Sequence, residues 1–125
     1  MRYLLDTHIL LWWLENNPCL SGAMRTAIAN PESFVFVSAA TVWEMSIKRS
    51  LGKLSVPDNL LEMLQINQFE VLKITAEHGL KVGELPDYHK DPFDRMLIAQ
   101  AQMEELTLIS QDGQFERYEV SLFKT

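Results

Sequence analysis

The stretch RYLLDTHILLWW, residues 2–13, decides the fold class of this chain, because it joins two apolar runs through a single acid. Residues 2–5 have the composition of a buried strand, and a helix capped by Asp6 or Thr7 follows to about Glu15. A cap or a turn explains an aspartate at this junction. A metal ligand explains it as well, provided that other carboxylates reach the same place.

The rest of the chain alternates short β runs with helices. Further strands are predicted at residues 34–37, 69–72 and 107–109, with an edge strand at 120–123. Five helices are predicted after the first. One is capped by Ser21 and ends near Asn30-Pro31, and the next is capped by Ser38 and covers 39–51, before Gly52. The others run from Pro57 to about Ile66, briefly after the cap Thr75, and from Asp91-Pro92 to about Glu105, with a polar loop at 84–90 before the last. This alternation predicts an α/β fold, a three-layer sandwich whose central, mostly parallel sheet of four to five strands carries helices on both faces.

Composition limits the classes of protein that fit. The 125 residues, 47% of them hydrophobic, suit one compact domain over residues 1–125 with a substantial core. The single cysteine, Cys19, excludes an internal disulfide and favours a reducing, cytoplasmic compartment. Asp6 and His8 interrupt the first apolar run, so no signal peptide is expected, and the unbroken run 9–14 is far shorter than the roughly 20 residues that span a membrane.

The net charge of −6 argues against a simple electrostatic binder of nucleic acid. It leaves room for a nucleic-acid enzyme, because bound divalent cations can supply the missing positive charge.

Two acids follow predicted strands, and two more lie on predicted helices. Asp6 and Asp112 come after strands whose carboxyl ends meet at one edge of a parallel sheet, where ligands of such sheets bind. Glu44 lies at the edge of an apolar helical stripe formed by Ala40, Trp43, Ile47 and Leu51. Asp94 shares a helix face with Leu97, Ile98 and Ala101.

Each acid also has a purely structural explanation. Glu44 can pair with Lys48 at the favourable i,i+4 spacing. Asp91 can be an N-cap and Asp94 a first-turn acid. Asp112 can be the turn residue of Asp-Gly. Several carboxylates in one apolar place would repel each other, however, and divalent cations resolve that conflict. Oxygen-only ligands suit Mg²⁺ or Mn²⁺ rather than zinc.

Four blocks together resemble the PIN domain, most closely the VapC-type toxins of bacterial and archaeal toxin–antitoxin systems. They are YLLDTH (3–8), SAATVWEMSIK (38–48), DPFDRMLIAQA (91–101) and LISQDGQF (108–115). The resemblance extends from Arg2 to about Phe123, and the order and spacing of the blocks carry it. A PIN-like sandwich is the fold that it implies.

The activity that the resemblance implies is that of a Mg²⁺- or Mn²⁺-dependent endoribonuclease, the toxin of a type II module. The implied metal and catalytic residues are Asp6, Glu44, Asp94 and Asp112, with Thr7 and Ser110 at the family's supporting positions. Asp91 is a further candidate for support. The implied partners are an RNA substrate, a VapB-like antitoxin and a second copy in a homodimer, with no membrane. A PIN-fold protein that binds without cleaving is the alternative.

This chain departs from the family's pattern at His8, Gln114 and the added acid Asp91, which leaves open whether one ion or two are bound. The phosphatase of the two-aspartate type is a poorer match, because His8 stands where its second aspartate is needed. Lys90 and Arg95 flank the implied site and are candidates for phosphate contacts, while Arg95 equally suits an ion pair with an acid.

Overall fold

The computed structural model describes residues 1–124, which form a single four-stranded sheet with helices around it. In chain order the elements are β1 (Arg2–Leu5), α1 (Thr7–Leu14), α2 (Gly22–Ala29), β2 (Phe34–Ser38), α3 (Ala39–Ser50), α4 (Leu60–Ile66), β3 (Glu70–Leu72), α5 (Ala76–Glu84), α6 (Pro92–Glu104), β4 (Thr107–Ile109) and a 3₁₀-helix (Gly113–Arg117).

The strands pair in the order β3-β2-β1-β4, and every pair is parallel. Strand β1 is central, with Leu5 opposite Val37 of β2 and Ile109 of β4. The carboxyl ends of these three strands therefore lie side by side, and the chain leaves each of them at the same edge of the sheet.

Two apolar cores lie on opposite faces of the sheet. Successive side chains of a strand point to opposite faces, so Leu5 joins the core formed with α1, α2 and α4, while Leu4 joins the core formed with α6 and the 3₁₀-helix. The predicted three-layer α/β sandwich is confirmed.

Side-chain caps begin five of the helices where the sequence predicted them. Each cap accepts a hydrogen bond from a backbone N–H of the first helical turn, which would otherwise lack a partner. The capping residues are Asp6, Ser21, Ser38, Thr75 and Asp91. Gly52, just beyond α3, has a φ of +72°, the left-handed conformation that favours glycine after a helix.

Several predicted boundaries are wrong. Helix α4 begins at Leu60 rather than at Pro57, because Asp58 and Asn59 form a turn and Asp58 pairs with Arg49. Residues 120–123 do not form a strand: within residues 1–124 they contribute one isolated bridge, Leu108 to Leu122, so the sheet has four strands. Helix α5 extends through residue 84, which the sequence assigned to a loop, and strand β3 starts one residue late.

Helix α3 turns a different face to the core from the one that its apolar stripe predicted. Its buried residues are Ala40, Thr41, Glu44 and Met45, because the helix packs between α1 and α6. Trp43, Ile47 and Leu51 are exposed by 61%, 37% and 62%. Glu44 is therefore inside the buried face rather than at its edge, and three apolar side chains form an exposed stripe on α3.

The apolar helix α1 is covered by its own domain. Ile9, Leu10 and Leu11 are buried, and Trp12, Trp13 and Leu14 pack against the same core. Burial of this all-round apolar helix therefore requires no partner. No helix within residues 1–124 has the length and apolarity required to cross a bilayer.

Candidate metal centre

A cleft of about 400 Å³ opens at the carboxyl edge of the sheet, where β1 and β4 end. Five carboxylates line it, together with the hydroxyl-bearing Thr7 and the amine of Lys48. The acids are Asp6, Glu44, Asp91, Asp94 and Asp112. The structure thus brings together all four acids predicted as ligands and two of the three predicted supporting residues. The third, Ser110, reaches the cleft through a hydrogen bond to Asp6.

Asp6 occupies the junction between β1 and α1. Its Oδ1 accepts a hydrogen bond from the backbone N–H of Ile9 at 2.9 Å, and its Oδ2 accepts one from the hydroxyl of Ser110. The side chain is buried, and this desolvation raises the pKa of Asp6, although the two hydrogen bonds act in the opposite direction.

Glu44 enters the cleft from α3 with both carboxylate oxygens occupied. The hydroxyl of Thr7 donates to Oε1 at 2.5 Å, and Lys48 Nζ lies 2.6 Å from Oε2. The hydrogen bond to Glu44 is the main reason why the pKa of Lys48 is raised. The predicted i,i+4 pair is confirmed, and it lies inside the cleft: Glu44 is at once a paired and a cleft-lining residue.

Asp94 is the most strongly perturbed group of the cleft. Burial is the main cause that raises its pKa to about 7, and the negative charges of Asp91, Asp112, Glu44 and Asp6 contribute to the same rise. One hydrogen-bonding partner is near, since Nε2 of His89 lies 3.3 Å from Oδ2 of Asp94. A carboxylate held in this state gains from any added cation.

Asp91 and Asp112 each use one oxygen as a helix cap. Oδ1 of Asp91 accepts from the N–H groups of Phe93 and Asp94, and Oδ1 of Asp112 accepts from that of Gln114. Their Oδ2 atoms make no hydrogen bond within residues 1–124. Each acid therefore keeps one oxygen for the cleft.

The donor set fits a hard divalent cation such as Mg²⁺ or Mn²⁺, because it consists of carboxylate and hydroxyl oxygens with repelling negative charges. In the part of the chain that the structure describes, no three His, Cys, Asp or Glu side chains are close enough to form a finished ligand set. Lys48 and the hydroxyls of Thr7 and Ser110 instead hold the carboxylates of Glu44 and Asp6.

Two neighbours of the cleft differ from expectation. Arg95 is buried and makes its hydrogen bonds mainly to backbone carbonyls, so the predicted contact with phosphate is wrong. The alternative, an ion pair with an acid, is confirmed by Asp87 at 3.6 Å. Tyr118, which no sequence pattern singled out, bonds to His89 beside Asp94. Their separation of 29 residues offers no local signal.

Residues 3–120 match the PIN domain family. The chain belongs to this family. The resemblance drawn from the four sequence blocks is thereby confirmed. PIN domains are in general nucleases, so a nuclease is the activity that membership favours.

Solved structures of toxin–antitoxin complexes contain chains of the same fold. VapBC2 from Rickettsia felis, bound to a DNA fragment from the VapBC2 promoter, matches with a TM-score of 0.72 at 19% identity over 98% of both chains. FitAcB from Neisseria gonorrhoeae matches with a TM-score of 0.70 at 21% identity over 98% of this chain and 96% of its own. DNA-bound VapBC from Salmonella typhimurium matches with a TM-score of 0.71 at 18% identity over 98% of this chain and 97% of its own. At these identities the likeness concerns the fold. Comparison with curated proteins gives no match.

Proposed function

We propose that this PIN domain is a Mg²⁺- or Mn²⁺-dependent endoribonuclease that acts as the toxin of a VapBC-type toxin–antitoxin module. The observation that carries the proposal is the cleft itself, in which five carboxylates share one edge of the sheet. Burial, and after it the charges of the other four acids, raise the pKa of Asp94 to about 7. Such a concentration of acid costs stability, and binding of a divalent cation is the chemistry that offsets it.

The proposed ligands are Asp6, Glu44 and Asp94, with Asp112 completing the site directly or through water. When bound, a divalent ion supplies a water of lowered pKa and stabilises the charge that develops on the phosphate. Thr7 and Ser110 orient the carboxylates that they already contact, Glu44 and Asp6. Asp91 adds negative charge beside Asp94 and holds the start of α6 in place.

RNA is the proposed substrate, and the electrostatics of the chain make metal a condition for its binding. The net charge is −6, and the cleft holds five acids against a single lysine. A polyanionic backbone is repelled from such a cleft until cations neutralise it. We therefore expect RNA to bind productively only with divalent metal present.

The proposed partners are a VapB-like antitoxin and a second copy of the chain. The solved structures with this fold are complexes of toxin with antitoxin, which supports an antitoxin for this chain as well. The exposed stripe on α3, formed by Trp43, Ile47 and Leu51, supports a homodimer, because exposed apolar stripes are typical of contact surfaces. A cytoplasmic location and a single domain over residues 1–125 complete the proposal.

The test is an incubation of the antitoxin-free protein with total cellular RNA. One set receives Mn²⁺ or Mg²⁺, another EDTA, and Asp6→Asn and Asp94→Asn are run beside the wild type. Asp58→Asn is the matched control, because Asp58 is exposed by 90% and lies outside the cleft. We expect discrete fragments from the wild type and the control only with metal. Full cleavage in EDTA, or by either cleft variant, would refute the proposal.

The alternative, a PIN-fold protein that binds without cleaving, is separated by two measurements together. Calorimetric titration reports whether Mn²⁺ binds, and the RNA incubation reports whether cleavage follows. Metal and RNA binding without cleavage of any cellular RNA would favour the alternative.

A further inference from the structure

A buried hydrogen-bonded chain runs from Arg95 to the cleft. The guanidinium of Arg95 donates through Nη1 to the carbonyl of Pro86 at 2.7 Å and through Nη2 to that of Val82 at 3.1 Å. These bonds fix the loop between α5 and α6 that carries His89. Arg95 Nη1 also donates to the hydroxyl of Tyr118 at 3.2 Å.

The hydroxyl of Tyr118 has all its hydrogen-bonding capacity committed. It accepts from Arg95 Nη1 and from the backbone N–H of His89 at 3.3 Å, and neither of these donors can act as an acceptor. A phenolic oxygen has two lone pairs and one proton. The proton is therefore left for the third neighbour, Nδ1 of His89, which lies 2.7 Å away.

This pattern fixes the tautomer of His89. Because Nδ1 accepts a proton from Tyr118, the hydrogen of the neutral ring is carried by Nε2. Nε2 lies 3.3 Å from Oδ2 of Asp94 and donates to it. Oδ1 of Asp94 receives no hydrogen bond within residues 1–124 and is left for the cleft.

We infer that Tyr118 and His89 are positioning residues for the metal centre: Tyr118 holds His89 as the Nε2–H tautomer, and His89 turns Asp94 so that one oxygen faces the cleft. The inference rests on the proposed function for its consequence, which is metal affinity. Partners that orient a ligand in this way affect metal affinity by about 10- to 100-fold when removed. Neither residue lines the cleft or is among the proposed ligands.

The first test reads the tautomer directly in the EDTA-treated protein. Nitrogen-15 NMR of the imidazole groups distinguishes a protonated from an unprotonated ring nitrogen. We expect His89 to carry its proton on Nε2 in the wild type and to populate the other tautomer measurably in Tyr118→Phe. A wild-type ring with the proton on Nδ1 overturns the inference.

The second test measures Mn²⁺ affinity by calorimetry in folded variants. Tyr118→Phe and His89→Ala are expected to weaken binding about 10-fold or more. His89→Gln is expected to recover part of this loss, because its side-chain amide nitrogen can replace Nε2 as the donor to Asp94. Tyr88→Phe is the matched control: Tyr88 packs edge-on against the ring of Tyr118 at 5.1 Å, and its hydroxyl makes no hydrogen bond within residues 1–124.

A positioning role and a purely structural one give different results. If Tyr118→Phe lowers the melting temperature while its Mn²⁺ affinity equals that of the control, the positioning role is refuted and the proposed nuclease stands. If the affinity falls, a tenfold increase in Mn²⁺ should restore cleavage, which lost stability would not explain. A wild type that binds no Mn²⁺ refutes the proposed function, and the positioning role falls with it.

Discussion

Asp94→Asn should make the metal-free protein more stable at pH 8, even though it is expected to abolish activity. The pKa of Asp94 is raised from 3.8 to about 7, a difference of about 3 pH units. At about 1.36 kcal/mol per unit, the ionised side chain costs the folded state up to about 4 kcal/mol. Asparagine has the same shape without the charge, and its carbonyl can still accept from His89.

The sign follows from proton linkage. A carboxyl whose pKa is higher in the folded state binds its proton more tightly there, so its contribution to stability is fully present below pH 3.8 and is lost as the pH rises through about 7. The gain from Asp94→Asn should therefore be largest above pH 7 and small near pH 4. The substitution also removes a first-turn acid that favours the helix dipole, at about 0.3–1 kcal/mol, so a net gain of up to about 3–4 kcal/mol is expected.

Urea unfolding in EDTA between pH 4 and pH 8 measures this difference by linear extrapolation. Added Mn²⁺ should reverse the order, because it stabilises the wild type by mass action and leaves the variant little changed. Equal stability of the two proteins at pH 8, or a gap that does not vary with pH, would refute the electrostatic reasoning about the cleft. High salt should narrow the gap, since part of it is repulsion from the other acids.

Three further perturbations test other parts of the structure. Lys48→Met should lower the free energy of unfolding of the metal-free protein by about 1–3 kcal/mol, because buried Glu44 loses its cation. The variant should also show a larger rise in melting temperature on adding Mn²⁺ than the wild type, and an equal rise would contradict this reasoning. Arg95→Lys should cost about 2–4 kcal/mol in urea unfolding, since an ammonium cannot serve the several carbonyls that the guanidinium bonds. Trp43→Glu should sediment as a monomer where the wild type sediments as a dimer, and its melting transition should stay cooperative. A variant that remains a dimer would exclude the exposed stripe on α3 as the interface.

The features that the sequence predicts well are those encoded locally. Capping residues and the first strand were predictable because a cap involves neighbours within four residues, as Asp6 does with Ile9. The orientation of α3 was not, since it depends on packing between α1 and α6, and the apolar spacing of Trp43 and Leu51 indicated the wrong face.

The candidate site shows the same division. Asp6 and Asp112 were predictable because strand ends mark the carboxyl edge of a parallel sheet. Glu44 and Asp94 were indicated by their place beside apolar residues on a helix face. The contact of Tyr118 with His89 was not, because it joins positions 29 residues apart through a folded loop. Nor did the sequence indicate that Arg95 is buried among carbonyls rather than available to phosphate.

Caps and ligands are not alternatives for these acids, because a carboxylate has two oxygens. In Asp6, Asp91 and Asp112, Oδ1 accepts from the N–H groups at the start of a helix, and those N–H groups fix the side chain. The second oxygen is then held at the cleft, unbonded in Asp91 and Asp112 and accepting from the hydroxyl of Ser110 in Asp6. Three helix starts therefore converge on the cleft, and their partial positive charges offset some of the repulsion among the acids. It follows that an Asp→Asn change at these positions can keep the cap while removing the charge, whereas Asp→Ala removes both. Asparagine variants should therefore lose metal binding with the fold intact, and alanine variants should lose stability as well, by about 1 kcal/mol for each lost cap.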